Sequence, residues 1–207
     1  MHISEGVLSP VVLGCGAALA VVGVALGLRK MEGERLLTTA VLASAFFVGS
    51  LVHVPVGPGN VHLILNGLLG LFLGWGVFPA LLVALLLQAV LFQYGGLVVL
   101  GVNVFDMAFP ALLCHLAFLP LIRKGGRART LGAFLCGSLS VAGAALLTSL
   151  ALALSGEAFV ASAALLFAAH LPIILIEGIL SVAAISFIAR TRPHMLDFAG
   201  KPEQRSL

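Results

Sequence analysis

Residues 8–28, LSPVVLGCGAALAVVGVALGL, carry no charge and are followed at once by Arg29 and Lys30. A helix of about 20 apolar residues is what the hydrocarbon core of a bilayer requires. Working outward, similar runs recur along the chain. They predict seven spans: Leu8–Leu28, Leu36–Val54, Val61–Gly74, Val77–Phe92, Val104–Ile122, Leu131–Leu154 and Phe159–Ala189. The third is short, and Gly74-Trp75-Gly76 joins it tightly to the fourth. Gly95–Asn103 reads as irregular chain folding back from the outer side, which survives at depth only inside protein or along a cavity. Of the 207 residues, 61% are hydrophobic and 9% charged; soluble domains run near 45–50% and about 25%. That gap excludes an ordinary soluble domain, a disordered chain and a nucleic-acid binder. The expected fold is all-α, a polytopic helical bundle of about seven transmembrane helices forming one integral membrane domain over residues 1–207. Cys15, Cys114 and Cys136 are scattered through apolar runs, which fits neither a disulfide framework nor a thiolate cluster.

The 11 Lys and Arg residues give the expected orientation, because basic residues mark the cytoplasmic side. They fall in three places: Arg29, Lys30 and Arg35; Arg123, Lys124, Arg127 and Arg129; Arg190, Arg192, Lys201 and Arg205. With seven spans all three face one side. The N-terminus is then outside, the C-terminus inside, and residues 190–207 form a cytoplasmic tail of a multi-pass protein of the cell's inner (plasma) membrane. A cleaved signal peptide needs a basic leading region, whereas here the first basic residue follows the first span. The working chain is therefore expected to begin at Met1, and the bulk of His2 is expected to keep Met1 in place.

That beginning carries the most chemistry. The α-amine of Met1, the backbone nitrogen of His2 and its Nδ1 close two fused rings around a metal ion, with three nitrogens nearly in one plane. A second imidazole would complete a square, a geometry suited to Ni(II) and Cu(II) and one in which Co(II) can also be held. The amine, with a reference pKa of about 8, must lose its proton to bind. A histidine at position 2 is equally compatible with an ordinary exposed side chain. Its company on the same side is His53 and His62, which flank the segment Val54–Val61. His62 is expected to open the third helix, where the helix N-terminus disfavours a charged ring. It reads either as a ligand or as a histidine bonded to loop carbonyls. His53 reads as a supporting partner or an interfacial histidine.

Charge within a span usually faces the bundle or a water-filled cavity. Asp106, His170 and Glu177 are such residues. His170 and Glu177 lie seven apart and so share a helix face. They read as a pair inside the bundle, or as a polar track or coupling point. Asn103 reads as a hydrogen-bonding partner of His2 or its loop, or as part of a self-satisfied bend.

The opening Met1-His2-Ile3-Ser4-Glu5-Gly6-Val7-Leu8-Ser9-Pro10 resembles the start of the CbiM/NikM family. Those proteins are the substrate-binding membrane subunits of energy-coupling-factor importers for cobalt and nickel. The likeness continues through Val61-His62-Leu63-Ile64-Leu65-Asn66-Gly67, Gly95-Gly96-Leu97, Gly101-Val102-Asn103-Val104-Phe105 and His170-Leu171-Pro172-Ile173-Ile174-Leu175-Ile176-Glu177-Gly178, in order over nearly the whole chain. It implies a metal site made by Met1, His2 and His62, with residues 1–10 as the chelating segment; its supporting residues do not carry over, and His53, Asn60 and Asn103 are candidates from this chain's own residues. It also implies Co²⁺ or Ni²⁺ as transported substrate with no organic cofactor. The implied partners are a transmembrane coupling subunit, a pair of cytoplasmic ATPases and a small accessory membrane subunit. The chain departs from the family at Ser4, where many members have Pro or Met, and in the loop Gly57–Val61. It has no GxxxxGK[ST] phosphate loop, so ATP hydrolysis is expected on separate subunits and the chain itself is not expected to be an enzyme. Two competing readings are a proton-coupled carrier using Asp106, His170 and Glu177, and an intramembrane hydrolase pairing Ser138 or Ser140 with His170.

Overall fold

The computed structural model describes the backbone of residues 3–31, 33, 36–51, 53–56 and 59–196, and their side chains except those of 53–56 and 59–61. The apolar runs form α1 (Pro10–Lys30), α2 (Leu36–Gly49), α3 (Asn66–Leu73), α4 (Val77–Phe92), α5 (Leu100–Lys124), α6 (Gly126–Ala153) and α7 (Val160–Thr191). α1 begins where a helix should: Pro10 tolerates the first position, and the Ser9 hydroxyl accepts the Val12 N–H at 3.4 Å. Five segments are long and apolar enough to cross a membrane: α1, α3 with α4, α5, α6, and α7 with the turn before it. α2 is a shorter apolar helix. The protein is a polytopic helical bundle.

Two expected spans are corrected. The second ends at Gly49 rather than Val54, and the third begins at Asn66 rather than Val61. Between them lies an antiparallel hairpin, β1 (His53–Val56) and β2 (Gly59–His62), with His53 opposite His62 and Pro55 opposite Asn60. Pro55 and Pro58 cannot continue a helix, and Val54, Val56 and Val61 suit extended chain. His62 therefore ends a strand and does not open a helix. α3 starts four residues later, after Leu65 takes a left-handed backbone (φ 54°). The stretch Gly95–Asn103 bends as expected, but helix α5 already begins at Leu100.

α5 sits at the centre, packed by α1, α3, α4 and α6, and α7 lies along α6. α3 runs parallel to α5 one turn at a time. Asn66 bonds Met107, Gly70 meets Ala111 and Gly74 meets His115. The helices are apolar outside and polar inside, the reverse of soluble ones. α7 buries His170, Glu177 and Ser181 while exposing Leu171, Leu175, Ile179 and Phe187. α6 likewise buries Ser138, Ser140 and Thr148 and exposes Leu139, Leu146 and Leu150.

Antiparallel packing of α6 on α5 and α7 gathers the described Lys and Arg residues at one end. Gly132 lies against Ile122 near that end and Gly143 against Pro110, while Gly137 meets Ser181 on α7. At the other end the Ser9 N–H donates to Ser155 Oγ at 3.0 Å, and Gln88 Nε2 donates to Ser50 Oγ. The Ala40–Ser44 stripe of α2 faces outward, its Ser44 hydroxyl bonded to the Ala40 carbonyl at 2.8 Å.

A Cβ on Gly70 would lie 2.5 Å from the Ala111 carbonyl oxygen. Because that neighbour is backbone, Gly70→Ala should destabilise the bundle by about 1–3 kcal/mol through overpacking. Thermal unfolding in detergent checks this. Gly14→Ala is the control, since a Cβ there meets nothing within 4 Å.

Candidate functional site

Two segments from distant parts of the chain enter the polar interior at the end opposite the arginines. The first is residues 3–9. Ile3 is fully buried, and Asn103 holds both its backbone groups: the Ile3 N–H donates to Oδ1 at 3.0 Å, and Nδ2 donates to the Ile3 carbonyl at 3.4 Å. Glu5 Oε1 accepts the Val98 N–H at 3.0 Å, and the chain turns at Gly6 (φ 79°). Ile3 and Leu8 pack with Val99, Val102, Leu152 and Leu166, so the segment lies among α5, α6 and α7. Met1 and His2 lie outside the described residues. Asn103 fixes the residue that directly follows them.

The second segment is residues 62–66. His62 is 3% exposed, and its Nδ1 lies 2.6 Å from the Leu63 carbonyl oxygen. A carbonyl only accepts, so Nδ1 carries the proton and, in the neutral ring, Nε2 holds the lone pair. Phe46 meets the ring edge-on at 6.3 Å. The N–H groups at the start of a helix have no helical acceptor, and Leu65 offers no side-chain cap. Glu177 supplies one: its Oε1 accepts the N–H of Ile64 at 2.5 Å and of Leu65 at 2.8 Å. Asn66 Nδ2 adds bonds to the carbonyls of Met107 and Ser140 at 3.0 and 3.3 Å.

α7 joins the two segments. Leu166 packs with Ile3, Glu177 holds Ile64, and His170 lies between them. The expected pairing of His170 with Glu177 is not what forms. His170 Nδ1 donates to the Leu166 carbonyl at 2.7 Å, while Glu177 turns to the other segment. His170 Nε2, Glu177 Oε2 and Asn66 Oδ1, all buried, have no hydrogen-bond partner among the described residues. Buried polar atoms normally have one, so these three leave unused acceptor capacity between the two segments. His170 bonds no serine, so the Ser138 or Ser140 dyad is absent among the described residues.

Asp106, also buried, accepts the Thr148 hydroxyl at 3.1 Å and ties α5 to α6. The ladder sets His53 opposite His62 and Asn60 opposite Pro55; the side chains of His53 and Asn60 lie outside the description. Among the described residues no three His, Cys, Asp or Glu gather as a metal cluster. What they present is two oriented imidazoles, His62 and His170, and a buried anchor for the chain's first residues.

The Glu177 contacts span 113 and 112 positions, and no local pattern announces them. The one signal was a carboxylate inside an apolar run. The tie from Ser9 to Ser155 has no signal at all.

A family profile described as CbiM, the cobalt uptake substrate-specific transmembrane region, matches residues 2–195. A putative metal transport protein of Haemophilus influenzae is 46% identical over 200 residues, covering 95% of this chain and 97% of that one. A cobalt transport protein CbiM of Sorangium cellulosum is 35% identical over 216 residues, covering 95% of each. The crystal structure of a truncated transition metal transporter superposes with a TM-score of 0.79 at 26% identity, covering 92% of this chain and 99% of that one.

Leaving buried N–H groups without an acceptor costs about 1–3 kcal/mol. Glu177→Leu should therefore loosen residues 62–66, read as faster deuterium uptake in peptides covering them. Glu177→Gln keeps a carbonyl acceptor and should exchange nearer to wild type. Unchanged uptake in Glu177→Leu would show that this contact does not hold the segment.

Proposed function

Since this chain belongs to the CbiM family of cobalt-uptake substrate-specific transmembrane proteins, we propose that it is the metal-binding subunit of an energy-coupling-factor importer for Co²⁺ or Ni²⁺. It is a multi-pass membrane protein of cobalt and nickel transport. The finer reading concerns how the ion is held. The α-amine of Met1, the amide nitrogen and Nδ1 of His2, and Nε2 of His62 supply four nitrogens. Two fused chelate rings keep three of them nearly coplanar, which favours ions that accept a square of nitrogen donors.

One observation carries this reading. Ile3 is buried and held at both backbone groups by Asn103, so the chain leading to His2 starts from a fixed point in the polar interior. His62 supports it from the other side, with its proton committed to Leu63 and its segment fastened by Glu177. A dication taken out of water is costly unless paired. Loss of the amine proton on binding, and of the His2 amide proton, which the amide nitrogen would have to shed to act as a ligand, would reduce that cost.

The remaining parts of the machine belong to other chains. A transmembrane coupling subunit, a pair of cytoplasmic ATPases and a small accessory membrane subunit would supply the movement that carries the ion inward. The end bearing Arg123, Lys124, Arg127, Arg129 and Arg190 faces the cytoplasm of the plasma membrane, following the bias of basic residues, and the ion loads from the opposite side.

Placing two glycines ahead of Met1 takes the amine out of the chelate, whereas a single one would give Gly-Met-His, itself a four-nitrogen site. Metal bound to the purified protein should then lose its absorption spectrum, and uptake should cease; wild-type affinity in that variant would overturn the proposal. His62→Ala should weaken binding and change the spectrum. Asn103→Leu should weaken it about 10–100-fold, as removal of an orienting partner does. Affinity should rise steeply with pH up to the amine's range, about 8, and less steeply above it, where only the amide proton is still released on binding.

A further inference from the structure

We propose that the groove between the start of α6 and the close of α7 binds the phosphate headgroup of an anionic phospholipid. The groove has a volume of about 530 Å³ and is lined by Arg127, Arg129, Thr130, Ser186 and Arg190, with Ala189 at its wall. Arg127 and Arg190 are exposed and stand on facing helices. Arg129 is fixed: its Nε donates to the Ile122 carbonyl at 3.3 Å at the end of α5, so its guanidinium is held at the groove rather than swinging free.

No carboxylate lines the groove. Of the described acidic residues, Glu5 and Glu157 lie at the opposite end, and Asp106 and Glu177 are buried within the bundle. α6 opens with Arg127 and carries no acidic residue in its first turn. A helix start favours negative charge and disfavours positive charge, so Arg127 and Arg129 stand where the dipole of α6 repels them, whereas Arg190 lies in the favourable last turn of α7. The three guanidinium groups line one groove with no carboxylate among its described residues. An anion relieves that repulsion, and planar guanidinium forks match phosphate oxygens. Thr130 and Ser186 add hydroxyl donors.

The surroundings select a lipid. The groove lies between the ends of two helices long and apolar enough to cross a membrane. One step further into the span, Leu131 is 53% exposed and Phe187 67% exposed. A phosphodiester seated on the arginines lays its acyl chains over these two side chains. Basic pockets between transmembrane helices on the cytoplasmic side are a recurring form of anionic headgroup site.

The test is native mass spectrometry of the full chain, delipidated and then offered phosphatidylglycerol or phosphatidylcholine. The wild type should retain one phosphatidylglycerol in clear preference. Arg127→Gln with Arg190→Gln should lower retention about tenfold or more, with the helical circular dichroism unchanged as evidence of folding. Inorganic phosphate and a polyglutamate peptide should each fail to displace the lipid. Equal retention of the two lipids, undiminished retention in the double variant, or displacement by inorganic phosphate or by the acidic peptide would overturn the proposal.

Discussion

A carboxylate buried in the middle of a membrane bundle and two peptide N–H groups that have no helix to serve them meet at Glu177. Within a bilayer, unsatisfied backbone groups cost several kcal/mol each, and an isolated buried carboxylate costs more. Each side of this contact removes the penalty of the other. The left-handed turn at Leu65, the start of α3 and the burial of His62 all follow from the chain being fastened at Ile64 and Leu65. If the contact were missing, the segment would need water at that depth, and the imidazole would have no fixed address.

The scaffold around this contact is built by close approach rather than by apolar attraction. Lipid chains are as apolar as leucine, so helices associate through packing and hydrogen bonds. Gly16 and Gly101 let α1 and α5 touch backbone to backbone, and Gly67 lies on the backbone of Cys136 and Gly137. The interlock of Gly137 with Ser181 and of Gly178 with Ser138 does the same for α6 and α7. These contacts hold α7 in place, and α7 in turn carries both His170 and Glu177.

The long helices were legible because an uncharged run of membrane length has few alternatives. α1, α4 and α7 fall within two residues of their expected bounds, while α5 and α6 begin four and five residues earlier than expected. α2 and α3 were misread at their facing ends, since Val54, Val56 and Val61 prolong an apolar run by composition while Pro55 and Pro58 break it by geometry. Asn103 reads in the sequence as a partner of His2 or its loop, or as part of a self-satisfied bend, and its side chain bonds the backbone of Ile3. Glu177 was legible only as anomalous: its partners are peptide N–H groups, which every residue possesses, so no residue type could point to them. The likeness to a known family named His62 without explaining how its ring is oriented; that came from the Leu63 carbonyl.

α3 has 8 residues, about 12 Å of helix, which is less than half of a hydrocarbon layer near 30 Å thick. The hairpin and three residues, Leu63, Ile64 and Leu65, lead the chain into the helix. α3 is therefore too short to anchor itself, and its seat in the bundle rests on what grips its first turn: the Glu177 carboxylate and the Asn66 side chain.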